Sequence, residues 1–123
     1  MYQTGNYFER TYTYDEPVSI VSGGSSATFA AIALTNLAPA LDNMKILISA
    51  QFTPNAANDV CYFRAGGSSA TTGHVITGDV AAKYATRDVS LVSKLVTAVP
   101  TVEYKVTASG ALTATLVSFV DVL

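Results

Sequence analysis

Thr101-Val-Glu-Tyr-Lys-Val-Thr-Ala-Ser-Gly-Ala-Leu-Thr-Ala-Thr-Leu-Val-Ser-Phe-Val-Asp-Val-Leu123 is the stretch whose side-chain order decides the fold class. Val102, Tyr104, Val106 and Ala108 alternate with Thr101, Glu103, Lys105 and Thr107. A period of two sorts residues onto the two faces of a pleated strand, which no helix does. Ser109-Gly110 then offers a residue that tolerates positive φ, so the run reads as a hairpin whose second strand carries on to Leu123. In that second strand Leu112, Ala114 and Leu116 mark one face, whereas Val117, Phe119, Val120 and Val122 fill both. A strand apolar on both faces is either central in its sheet or part of an interface.

Working back along the chain, Lys45-Ile-Leu-Ile-Ser-Ala-Gln-Phe52 is the cleanest internal strand. Ile46, Ile48, Ala50 and Phe52 share one side; Leu47 interrupts the polar side and is a candidate contact with a neighbour. Val60–Arg64, His74–Thr77 and Arg87–Val96 read as further strands, with Val80–Thr86 open between strand and loop. Thr28–Leu34 is apolar on both faces and is expected to be a central strand, its length favouring strand over helix. Tyr7–Tyr14 forms an aromatic opening strand or arm, and Asp15-Glu16-Pro17 interrupts it because proline cannot donate to a ladder. Val18–Val21 is a short strand ended by Ser22-Gly-Gly-Ser-Ser26. Asn36–Asn43 reads as a loop with one helical turn, and Thr97–Pro100 as a turn. About eight short strands separated by Gly, Pro and Asn signals spell an all-β fold, a single jelly-roll-like β-sandwich over residues 1–123, with residues 1–16 as N-terminal arm or first strand.

A chain of 123 residues can bury roughly two-thirds of its unfolded surface without disulfides or metal. Half of it is hydrophobic and 13% is charged, about half the usual share, so Ser, Thr, Asn and Gly carry the polarity. Such a surface fits a subunit that hides much of itself in an assembly, where buried charge is costly. Net charge is −2, and Arg10, Lys45, Arg64, Lys83, Arg87, Lys94 and Lys105 form no basic stripe, which argues against nucleic acid as a partner. The N-terminus has neither the basic nor the apolar region of a signal peptide, and no apolar run reaches the ~20 residues that span a bilayer. No membrane is expected, and synthesis is placed in the cytoplasm.

The one histidine, His74, lies near Ser68, Ser69, Asp79 and Asp88 in sequence, without the nucleophile-elbow pattern of a Ser-His-Asp site. One Cys and one His are too few for a tetrahedral zinc site. Asn55, Asn58 and Asp59 read as turn formers rather than calcium ligands. Gly23-Gly24 and Gly66-Gly67 lack the lysine and helix of a phosphate loop. Cys61 reads as a small buried hydrophobe. The expectation is a non-enzyme with no catalytic, metal or cofactor residues. Tyrosine is the remaining enrichment: Tyr2, Tyr7, Tyr12 and Tyr14 fall beside Phe8 in the first fourteen residues. Their amphipathic rings suit an interface, and equally the sandwich's own core.

The runs Ile46-Leu-Ile-Ser-Ala-Gln-Phe-Thr-Pro54, Val60-Cys-Tyr-Phe-Arg-Ala-Gly-Gly-Ser68 and Glu103–Leu123 resemble small β-sandwich virion proteins of tailed bacteriophages. These include capsid decoration or cement proteins and compact β domains of head and tail fibres. The resemblance covers about two-thirds of the chain in strand grammar. It implies a homo-oligomer, with a trimer favoured, docked on a phage capsid or tail within the virion. Tyr7, Phe8, Tyr12, Tyr14, Leu47, Val117 and Phe119 are then the expected interface residues. The alternative is a receptor-binding tip in which the Asn55–Tyr62 loop holds a host surface glycan.

Overall fold

The structure, a computed structural model, describes residues 9–70, 73–107 and 110–122. Eight strands follow one another: β1 (Glu9–Gly24), β2 (Ala30–Ala33), β3 (Met44–Thr53), β4 (Asp59–Ala65), β5 (His74–Gly78), β6 (Ala85–Val96), β7 (Val99–Val106) and β8 (Ala111–Val122). No helix occurs among the described residues. All ladders are antiparallel.

The strands divide into two four-stranded layers. One runs β1-β8-β3-β6 and the other β2-β7-β4-β5, and the ladder passes between them where the end of β6 pairs with the start of β7. Eight strands wound in this order make a jelly roll. Alternation places Ile46, Ile48, Ala50 and Phe52 of β3 inward against Cys61 and Phe63 of β4 and Val102 and Val106 of β7, all buried. At about 25 cal/mol per Å² of apolar surface, this two-sided interior is the main favourable contribution to folding.

The closing run differs from its sequence reading. β7 and β8 do not pair with each other: β7 lies between β4 and β2, whereas β8 lies between β1 and β3. The link over residues 107–110 therefore crosses from one layer to the other and is no hairpin. Alternation reports a strand and its faces, but not its neighbour. Ala108 and Ser109 fall outside the described residues, as do Tyr7 and Phe8. Gly110 is required for space: a Cβ there would lie 2.5 Å from Cε1 of Phe52.

Three further expectations are corrected. Thr28–Leu34 is not a central strand; β2 covers four residues and pairs β7 alone, with Ala31 and Ala33 exposed. Alanine on both faces mimics burial because it is merely small. Pro17 does not end the first strand, since β1 is an edge strand and absorbs Tyr14–Pro17 as a bulge between Thr13↔Ser118 and Val18↔Leu116. Asn36–Asn43 holds no helix; Leu37 N–H donates to the Leu34 carbonyl in a single turn. The open segment before β6 is settled as loop through Tyr84.

Candidate interaction surface

The two strand ends of the sandwich differ in what they expose. At one end lie the starts of β1, β3 and β7, the close of β6, the loop after β2 and the loop after β4. Of the seven large hydrophobic residues exposed among the described residues, Tyr12, Leu41, Val92, Leu95 and Val96 sit at this end; Val80 and Tyr84 sit at the other.

The aromatic part of this end is built by β1 and β8. Tyr12 pairs with Phe119 across the ladder, and their rings stack with centroids 5.2 Å apart. Tyr14, two residues on and so on the same face, meets Tyr12 edge-on at 5.2 Å and Phe119 at 6.2 Å. Phe119 pairs with inward-facing Ile46, so it is buried on the inner face and not on the outer one. The reason is a bulge at Val117, where β8 takes one extra residue between its partners Leu47 and Ile48 and reverses its faces. Tyr12 covers Phe119 and remains 53% exposed. With the Asn36–Pro39 segment these rings line a shallow cavity of about 330 Å³. The Tyr14 hydroxyl is shut off from solvent and finds no hydrogen-bond partner among the described residues. Burial, with a smaller contribution from Tyr12, raises its pKa.

The aliphatic part belongs to β6. Val96 and Val99 flank a two-residue turn in which Thr97 and Ala98 both take positive φ, 50° and 63°. That is the handedness a right-twisted hairpin asks of its turn. Asp42 ties the preceding loop to this hairpin by accepting from the Leu95 N–H at 3.0 Å, and that bond lowers its pKa. A second hollow of about 550 Å³ runs between Asp42, Gly66–Ser69 and Lys94–Val96.

Other expected residues are placed elsewhere. Leu47 is half-buried on the outer face of β3, opposite Ser90 and Ser118, and Val117 is half-buried at its bulge. In the segment proposed for a glycan, Asp59 Oδ2 accepts from the N–H groups of Asn55 and Ala56, at 3.1 and 2.8 Å, and Asn58 takes φ 69° to shape the turn. Tyr62 lies on the outer face of β4, with Lys105 Nζ 5.2 Å from its ring centre. Beside it Arg64 Nε donates to Glu103 Oε1 at 2.5 Å, its guanidinium lies 3.7 Å over Phe29, and its Nη1 donates to the Ala70 carbonyl. His74 shares a small cavity with Asp88, whereas Ser68 and Ser69 line a different one beside Asp42, so the structure separates these serines from the imidazole. Cys61 is fully buried and desolvation pushes its thiol pKa up to about 12. The sequence reading missed Leu41, Leu95 and the gathering at one end, because loop geometry brings these residues together from separate segments.

No family model matches the chain, and no curated protein matches it. Among solved structures, the coat protein of Tobacco streak virus is similar at 14% identity, over 99% of this chain and 88% of that chain, with a TM-score of 0.35. The fold assignment above rests on the strand order itself.

Proposed function

We propose that this chain is a non-enzymatic structural protein of a virion, working as a homo-oligomer that docks on the outer capsid surface as a decoration or cement protein. Jelly rolls serve in viral shells, lectins and cupins, so the fold leaves the choice to the surface. The observation that carries the reading is the collection of Tyr12, Leu41, Val92, Leu95 and Val96 at one end of a sandwich with few charges. Apolar surface gathered in this way and framed by polar loops is typical of a docking face. Each copy need contribute only modest contact energy, because a symmetric cluster multiplies it through effective concentration.

Light scattering of the purified protein, alone and with undecorated capsids, tests the proposal. An oligomer that co-sediments with capsids, and that stops doing so in Leu95→Asp/Val96→Asp, is the expected result. A monomer that ignores capsids in wild-type form overturns it. The aromatic cavity beside Asn36 favours a second reading, a head- or tail-fibre domain holding a host glycan against Tyr12. Binding on a glycan array that is lost in Tyr12→Ala would move the assignment there.

A further inference from the structure

The outer face of the β2-β7-β4-β5 layer carries a row of side chains that the docking end does not use. Register sets Lys105 of β7 beside Tyr62 of β4, and Tyr62 beside Val75 of β5. Phe29, the residue before β2, lies on the other flank of Lys105. All four are half-buried, and along their strands they alternate with inward residues such as Phe63, Tyr104 and Val106. Lys105 Nζ stands 4.9 Å from the Phe29 ring centre and 5.2 Å from that of Tyr62. Both distances fall inside the ~6 Å over which an aromatic ring attracts a cation.

The neighbouring row is already balanced. Glu103 receives Arg64 Nε on one oxygen and the Gly67 N–H on the other, and the Arg64 guanidinium lies over Phe29. Both carboxylate oxygens are thus engaged, and among the described residues no carboxylate pairs with Lys105. Asp59, three residues from Tyr62 on β4, is turned to the N–H groups of Asn55 and Ala56. Asp79 lies four residues past Val75, about 13 Å along the strand. The face therefore keeps one half-buried positive charge framed by two rings, on a chain whose net charge is −2. Its position also matters. Val99 opens β7 at the apolar end, and Lys105 lies six residues on, about 20 Å away. A copy docked through its apolar end holds this row clear of the shell.

We propose that this row binds an acidic saccharide, a sialic or uronic acid residue, its carboxylate on Lys105 and its ring against Tyr62. An ammonium set between two rings has spare N–H donors and an apolar surround. A sugar acid matches both, with one carboxylate for the ammonium and a C–H face for the tyrosine. A polyanion finds no second unpaired cation in the row, because Arg64 is held by Glu103. Adjacent strands fix the spacing of these groups, so little order remains to be imposed on binding. The site is separate from the Tyr12 cavity and does not depend on the docking reading. Repeated copies on one particle would multiply a weak single contact.

An array of immobilised oligosaccharides tests it, with sialylated and uronate-containing chains beside the same chains lacking the acid. The wild-type protein is expected to be retained on the acid-bearing chains alone, and less so as salt is raised. Lys105→Gln should weaken retention by at least roughly tenfold, the worth of one charge-assisted hydrogen bond, and Tyr62→Ala should weaken it as well. Lys83→Gln, which removes the same charge from an exposed loop, and Tyr12→Ala should leave it unchanged. Far-UV circular dichroism verifies that every variant folds. Equal retention of neutral and acidic chains, no retention of either, or an unaffected Lys105→Gln overturns the site and leaves the docking reading standing. Loss of capsid co-sedimentation in Lys105→Gln, without glycan binding by the wild type, would give this face to a protein partner and overturn the saccharide.

Discussion

The β6–β7 turn offers a direct test of backbone strain. Thr97 and Ala98 occupy the left-handed region at φ 50° and 63°. An L-residue there costs about 1 kcal/mol or more, and a β-branched residue such as threonine is among the least suited. Asn at the first position and Gly at the second are the residues this turn type favours. Thr97→Asn should recover about 1 kcal/mol. Ala98→Gly should recover a similar amount less about 0.5 kcal/mol, because glycine widens the unfolded ensemble. The pair together is worth about 1.5 kcal/mol. A 123-residue chain has an unfolding entropy of about 0.26 kcal/mol/K, so Tm should rise by about 6 °C. Thermal melts followed by far-UV circular dichroism and urea titrations measure both quantities, and the urea m-value should stay constant, since the turn alone changes. An unchanged or lowered Tm at constant m would refute the view that this turn is strained and that its strain is released by residue choice.

Burial of Cys61 makes a pH prediction. Its pKa is raised from 9.0 to about 12, so the stability it contributes is full below pH 9 and is lost as pH climbs toward 12, by up to about 4 kcal/mol; the raised Tyr14 pKa adds in the same direction. Urea titrations across that range should show the decline, and Cys61→Ala should flatten it. Glu103→Gln removes the charge that receives Arg64 Nε and the Gly67 N–H. It should cost about 1–2 kcal/mol and speed proteolysis within residues 66–70. Gly110→Ala sets a methyl group against Phe52 and should cost about 1–3 kcal/mol in chemical denaturation. An unperturbed midpoint would show that the crossing between layers has room to shift.

Much of the fold is legible in the sequence, because burial on one face leaves a period of two. The alternation from Ile46 to Phe52 and from Val102 to Val106 named the inward residues correctly. What alternation cannot carry is which strand lies alongside. The glycine at 110 signalled a hairpin, yet its cause is the close passage of the chain over Phe52. The inward placement of Phe119 is not legible, because the bulge at Val117 leaves no mark in side-chain types. The turn at Thr97-Ala98 carries neither Gly nor Asn, so strain concealed it. In the candidate surface, Tyr12 and Tyr14 were legible from their spacing and their amphipathic rings. Leu41 and Leu95 were not, since their nearness depends on Asp42 bridging two segments more than fifty residues apart.

The position of β8 has a consequence for synthesis. It is the last of the eight strands in chain order, yet it lies between β1 and β3. Until it emerges from the ribosome, β1 has no strand to pair with and β3 lacks one of its two neighbours. The β1-β8-β3-β6 layer, and with it the Tyr12–Phe119 stack, must therefore complete after translation has reached the final strand, in a slow, long-range closure. A growing chain consequently lacks the aromatic stack at that end until β8 has been made.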